Sequence, residues 1–122
     1  MVCKRILMLS ILLAVQACSS KPITQSEYWM GQGERFGANG YSYQNDIIES
    51  LKLKVPFDEQ AYKEGYEIGK KDYCDPFKAF EKGVQGVKYT DQCKGQAQEV
   101  MVKAEWQRGW DAFIGADFYK FR

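Results

Sequence analysis

The sequence contains no histidine. That absence excludes imidazole general bases, Ser-His-Asp and Cys-His nucleophile pairs, and most zinc sites. An excess of either charge is also missing. The formal net charge is +1, and it becomes −1 once Lys4 and Arg5 are set aside with residues 1–17. Neither a basic patch nor an RNA-binding signature is present, so nucleic acid is not an expected partner. No apolar run approaches the roughly 20 residues needed to cross a bilayer, and strand-like alternation is weak throughout. At 122 residues the chain has room for one small domain and not for two.

Against these absences stands a leader-like beginning. Lys4 and Arg5 supply positive charge, Ile6 to Val15 forms a short apolar run, and Val15-Gln16-Ala17-Cys18 closes it. Charge, a run too short to span and a small residue before the break make the pattern of a secretory signal peptide over 1–17. A buried N-terminal helix is the competing interpretation, and it leaves the charge and the closing residues unexplained. The junction resembles the lipobox of bacterial lipoproteins, usually Leu-Ala-Gly/Ala-Cys. Val15, Ala17 and Cys18 match, while Gln16 is bulkier and more polar than is usual there.

The lipobox resemblance implies that the leader is removed and that Cys18 becomes the lipidated N-terminus. Its sulfur would carry diacylglycerol and its amine a third, palmitate-like chain. Each buried methylene contributes about 0.8 kcal/mol to anchoring, and several chains hold where one does not. Ser19, where an Asp favours inner-membrane retention, implies the outer membrane, with the domain facing the periplasm. Residues 18–26 then form the lipidated N-terminus and a short linker. Ser19 to Ser26 reach at most about 26–29 Å when extended, which keeps the helical domain expected over 27–115 close to the bilayer. Residues 116–122 are expected to form a C-terminal tail.

With Cys3 in the leader and Cys18 on lipid, Cys74 and Cys93 remain. An even pair in an oxidising compartment reads as a disulfide. Closing a loop of about 20 residues is worth roughly 3 kcal/mol in the chain-entropy model. The rival is a metal or redox pair, but redox cysteines usually stand two residues apart and no histidine completes a zinc site. Neither a metal nor a cofactor is expected.

The informative pattern is a recurring aromatic-x-x-Gly: Tyr28/Gly31, Tyr62/Gly65, Phe80/Gly83 and Trp106/Gly109. Three of these extend along one helical face, as Tyr62-Gly65-Tyr66-Gly69, Phe80-Gly83-Val84-Val87 and Trp106-Gly109-Trp110-Phe113. Trp29, Gly33, Phe36, Gly37 and Gly40 share a face as well. Glycine in a helix costs about 1 kcal/mol against alanine, so a set in register with the apolar face calls for close helix packing. Each glycine is expected to leave a hollow that a ring from the facing helix fills. A ligand-stacking platform is the competing use of these rings. The Gly33/Gly37 and Gly65/Gly69 spacings match a membrane-helix motif, but Glu34, Arg35, Glu64 and Glu67 exclude burial in lipid.

Helix boundaries follow from local chemistry. Thr24-x-x-Glu27 has capping-box spacing, and Asp58 suits an N-cap with Phe57 and Tyr62 as a hydrophobic staple. Asp75-Pro76 opens a helix directly after Cys74. Asn45 to Lys54 reads as a short helix ended by Val55-Pro56, and Gln96 to Ile114 as a long one closed by Gly115. The expected fold is small and all-α, with four or five helices, short connections and one disulfide clip. The packing set is Tyr62, Gly65, Gly69, Tyr73, Gly83, Gly86, Trp106 and Gly109.

These residues resemble a family of small bacterial envelope lipoproteins of unknown function. The shared pattern is Trp29, Gly33, Gly37 and Gly40; Tyr62, Gly65, Gly69, Tyr73 and Cys74; then Gly83, Gly86, Tyr89 and Cys93. The resemblance implies an architecture and an address, and no mechanism. The expected role is a non-catalytic, lipid-anchored accessory domain with an envelope protein as partner. Two alternatives are a binder of a small ligand in aromatic hollows and a carboxylate hydrolase of cell-wall glycan. The latter would use Glu105, Asp111 and Asp117 beside Trp106 and Trp110. Phe118 to Arg122 is expected either to meet a partner or headgroups or to fold back on the core.

Overall fold

The computed structural model describes residues 21–120, with side chains as far as Gly115. Cys18 and the expected leader lie outside the described residues, as do the side chains of Asp117 and of the C-terminal rings. Five helices account for the described fold: α1 (Gln25–Ala38), α2 (Asp46–Lys52), α3 (Glu59–Tyr73), α4 (Pro76–Val84) and α5 (Glu99–Lys120). No strand occurs among the described residues, so the all-α expectation holds.

Four of the helices begin on a side chain that satisfies one of the unpaired amides of a first turn. Thr24 and Glu27 form the reciprocal capping box of α1. Asn45 accepts from the Ile48 N–H at 3.1 Å and Asp58 from the Ala61 N–H at 3.1 Å. Asp75 accepts from the Phe77 N–H at 2.9 Å, with Pro76 at the first helical position. Phe57 meets Tyr62 with ring centroids 5.8 Å apart, as a staple requires.

The helices pack as two pairs, α1 on α3 and α4 on α5, with slight contact between α3 and α4. Gly33 lies against the Tyr62–Tyr66 stretch of α3 and Gly37 against Tyr66–Lys70, so α1 and α3 run parallel. Gly83 against Trp106–Trp110, followed by Gly86 against Phe113, gives α4 and α5 the same sense. Parallel partners need a return path. Residues 39–58, with the expected short helix α2 among them, and 85–98 provide it, and the second is longer than the short connections expected.

The glycines act by a different route from the one expected. A Cβ on Gly33 would fall 2.6 Å from the Tyr66 nitrogen, on Gly69 2.6 Å from the Ala38 nitrogen, and on Gly83 2.7 Å from the Trp110 nitrogen. Backbone, not a ring, occupies each hollow. Two facing glycines remove both Cβ atoms, and the helices close until main chain touches main chain. The rings flank these crossings. Gly31 and Gly115 meet nothing within 4 Å and take no part.

Four boundaries also differ. α4 ends at Val84, leaving Gly86 (φ +79°) and Val87 in the following turn, and Gly40 (φ +75°) lies beyond α1. Positive φ at these two positions halts the helix and is open to glycine without strain. α5 starts at Glu99, not Gln96, and runs through Gly115 to Lys120. The expected tail thus begins as helix, because one half-buried glycine with no close neighbour costs only about 1 kcal/mol.

The two pairs repeat one design. Gly37-Ala-Asn-Gly40-Tyr-Ser-Tyr43 and Gly83-Val-Gln-Gly86-Val-Lys-Tyr89 form the same turn. Asn39 N–H donates to Arg35 and Tyr41 N–H to Phe36, as Gln85 does to Glu81 and Val87 to Lys82. Tyr66 Oη donates to the Tyr41 carbonyl at 2.6 Å, and Trp106 Nε1 to the Val87 carbonyl at 2.7 Å. Tyr43 sits 5.2 Å from Tyr66, and Tyr89 5.2 Å from Trp106.

Candidate functional site

Two cores form, one built on Trp29, Phe36, Ile48, Tyr62 and Tyr66 within the first pair, the other on Val102, Trp106 and Cys93 of the second pair with Tyr73 and Cys74 from the end of α3. The expected packing residues Tyr62, Tyr73 and Trp106 are almost completely buried. Their polar atoms are spent locally. Tyr62 Oη donates to the Tyr43 carbonyl at 2.6 Å, Trp29 Nε1 to the Pro56 carbonyl at 2.6 Å, and the Tyr73 hydroxyl lies 3.0 Å from Thr90 Oγ1. Burial raises the hydroxyl pKa of Tyr62, Tyr66 and Tyr73. Gly65, Gly69, Gly83 and Gly109 form the crossings, while Gly86 packs from its turn against the Phe113 ring.

Cys74 and Cys93 are bonded, and both are buried. Cys74 caps the end of α3 and Cys93 lies in the return loop of the second pair, so the bond fastens that loop to the junction. Asp72 ties the same junction to α4, pairing with Lys78 and, at 3.3 Å, with Lys82. The hydrogen bond from Lys78 is the main cause holding the Asp72 carboxyl below its ordinary range.

The open feature is a cleft of about 640 Å³ on the second pair, lined by Tyr89, Trp106 and Trp110 with Lys88, Asp91 and Lys103 at its polar edge. Trp110 is partly exposed, whereas Trp106 is 2 % exposed and adds little accessible surface. Lys103 bridges Asp91 at 3.3 Å and Glu99 at 3.2 Å, and these bonds, Glu99 first, raise its pKa. Lys88 forms no ion pair among the described residues. The Tyr89 hydroxyl is buried without a hydrogen-bond partner among them. No group of three or more metal-ligating side chains occurs among the described residues.

Of the hydrolase candidates, Glu105 and Asp111 do not line this cleft, and the Asp117 side chain lies outside the described residues. Glu105 pairs with Arg108 at 2.7 Å and Asp111 accepts from Gln107 at 2.8 Å, each with a neighbour on its own helix. Sequence reasoning missed the aromatic-to-carbonyl bonds and the turn repeat. The signal for the second was present: Gly-x-x-Gly-x-x-Tyr occurs at 37–43 as well as at 83–89.

A family model described as "Protein of unknown function (DUF2799)" matches residues 28–111. The chain belongs to the DUF2799 family. The DUF2799 match takes in both glycine crossings, the disulfide and the whole cleft, and stops before the end of α5. No curated protein and no solved structure matches the chain.

Proposed function

We propose that this DUF2799 protein is a lipid-anchored, non-catalytic accessory domain of the bacterial envelope, held by acylated Cys18 at the periplasmic side of the outer membrane and engaging an envelope protein. The observation that carries the role is the use of the rings. Those in the two cores satisfy their polar atoms within the fold, while Trp110, partly exposed in the cleft with Lys88, which has no ion pair among the described residues, is left for recognition. The address rests on the Lys4–Cys18 pattern.

Intact mass of protein from its native membrane tests the anchor. The expected mass is that of residues 18–122 plus lipid, and Cys18→Ala should release the domain from the membrane fraction. An unlipidated mass in the membrane fraction rejects the anchor. Crosslinking in intact cells tests the role: a defined envelope protein is expected, and repeated recovery of nothing above background rejects it.

A second function, binding of a small ligand, draws on one observation, the cleft volume of about 640 Å³, within the range typical of ligand sites. Native mass spectrometry of protein from its own host distinguishes it by a retained mass.

A further inference from the structure

The two helix pairs present the same surface, and among the described residues only one of the two is covered. On the first pair, Gly40, Tyr66 and Tyr73 are buried beneath the return loop of the second. Thr90 Oγ1 donates to the Gly40 carbonyl at 2.6 Å, and the Thr90 N–H donates to the Tyr73 hydroxyl at 2.7 Å. Tyr89 stacks on Tyr73 with centroids 6.0 Å apart and ring planes within 9°. Gln92 comes within 3.3 Å of the Tyr66 hydroxyl. The occupant is therefore a turn of polypeptide that offers a ring and then a small hydroxyl donor.

On the second pair the equivalent positions are Gly86, Trp106 and Phe113, with Val87 standing for Tyr41 and Trp110 for Lys70. Trp106 remains buried, but Gly86 and Phe113 are partly exposed where Gly40 and Tyr73 are buried; Trp110 is half-buried as Lys70 is, and Val87 is 37 % exposed where Tyr41 is 44 %. Trp110 and Phe113 are in mutual contact, 5.4 Å between centroids. The exchanges are toward apolar surface: a lysine becomes Trp110 and a phenol becomes Phe113. The backbone carbonyl of the glycine turn is retained.

Resting on the partner-binding role above, we propose that this face docks a loop of another polypeptide, one that presents an aromatic residue followed by a hydrogen-bond donor, in the manner of Tyr89-Thr90. The partner's ring lies against Trp110 and Phe113, and its donor reaches the Gly86 carbonyl. Loss of the Tyr73 hydroxyl at Phe113 removes two hydrogen bonds of the internal joint, those with the Thr90 N–H and Thr90 Oγ1, and the added ring area offsets part of that loss. Lys88 beside the cleft favours an acidic residue next in the partner, as Asp91 follows Thr90 in the chain's own loop.

The chain supplies its own probe. A synthetic peptide of residues 88–94, with Cys93→Ser, carries the segment that fills the first face. It is titrated into the purified, disulfide-intact protein while the indole N–H resonance of Trp110 is followed. A saturable shift is expected, weak because one short loop is being ordered, with half-saturation on the order of 1 mM. Replacing the peptide's tyrosine by alanine, or Val87→Glu in the protein, should weaken it at least about tenfold, the equivalent of 1.4 kcal/mol. Val87 is exposed, so that variant keeps the fold, and unchanged circular dichroism verifies this. An unmoved Trp110 resonance, or equal binding of the alanine peptide, overturns the proposal. So does a Trp110 shift caused by cell-wall glycan fragments and not by the peptide, or self-association abolished by Val87→Glu. Failure of the peptide with anchoring and a crosslinked partner intact rejects this face alone and leaves the accessory role standing.

Discussion

Gly65→Ala is the sharpest test of how the fold is held together. A Cβ at position 65 meets main chain on α1: it would lie 2.9 Å from the Met30 carbonyl carbon and 3.0 Å from the Glu34 nitrogen, with the Met30 carbonyl oxygen nearer still. None of these atoms can rotate away, so α1 and α3 must separate and loosen Trp29, Tyr62 and Tyr66 between them. Overpacking of this kind costs about 1–3 kcal/mol, and a backbone obstacle puts the cost near the upper end. Alanine's helix preference returns about 1 kcal/mol. The net expectation is a loss of roughly 2 kcal/mol, or about 8–16 °C in Tm for a domain of this size. Gly31→Ala is the matched control, in a helix with nothing within 4 Å of the added atom. It should stabilise by up to about 1 kcal/mol. Urea unfolding of both variants with the disulfide intact measures the difference. If Gly65→Ala is as stable as Gly31→Ala, backbone contact at the glycines is not what joins the helices.

Replacing Cys74 and Cys93 together by serine should lower stability by roughly 3 kcal/mol in the chain-entropy model, read from the denaturation midpoint against the oxidised protein. Tyr66→Phe removes the donor to the Tyr41 carbonyl and should cost about 1–2 kcal/mol; thermal unfolding no different from wild type would show that water replaces the bond without loss. Burial raises the folded-state pKa of Tyr62, Tyr66 and Tyr73 above the unfolded value of about 10. Their neutral forms therefore stabilise the fold fully below about pH 10, and that contribution is lost as pH rises through the folded values. Phenolate absorbance followed beside circular dichroism should show these rings ionising only as the helices melt; their ionisation at the ordinary value with the fold intact would contradict the burial.

Local chemistry is what the sequence made legible. Thr24, Asp58 and Asp75 bind amides two or three residues away, so their capping roles needed no tertiary knowledge. The glycine faces were legible as a period along single helices. Whether rings or backbone would fill them depended on the facing helix, which no single helix encodes. The parallel sense of α1 and α3 arises from the return over residues 39–58, a tertiary choice. Tyr66 finds its acceptor at Tyr41 and Trp106 at Val87, across whole connections, and no local spacing marks those bonds. Of the open cleft, aligning the turns shows why it lies on the second pair: Trp110 stands where the first pair has Lys70. Cys18 carries the proposed address through its motif alone.

On the reading proposed above, the anchored domain keeps its second aromatic face open for a polypeptide partner. A photo-crosslinking residue placed at Val87 in cells making the full chain tests it most directly, with the same residue at Ile68, which is 52 % exposed on α3, as the comparison. A discrete protein adduct is expected from position 87, absent at 68 and lost when Trp110 is changed to serine. No adduct at 87, or equal adducts at both positions, would contradict it.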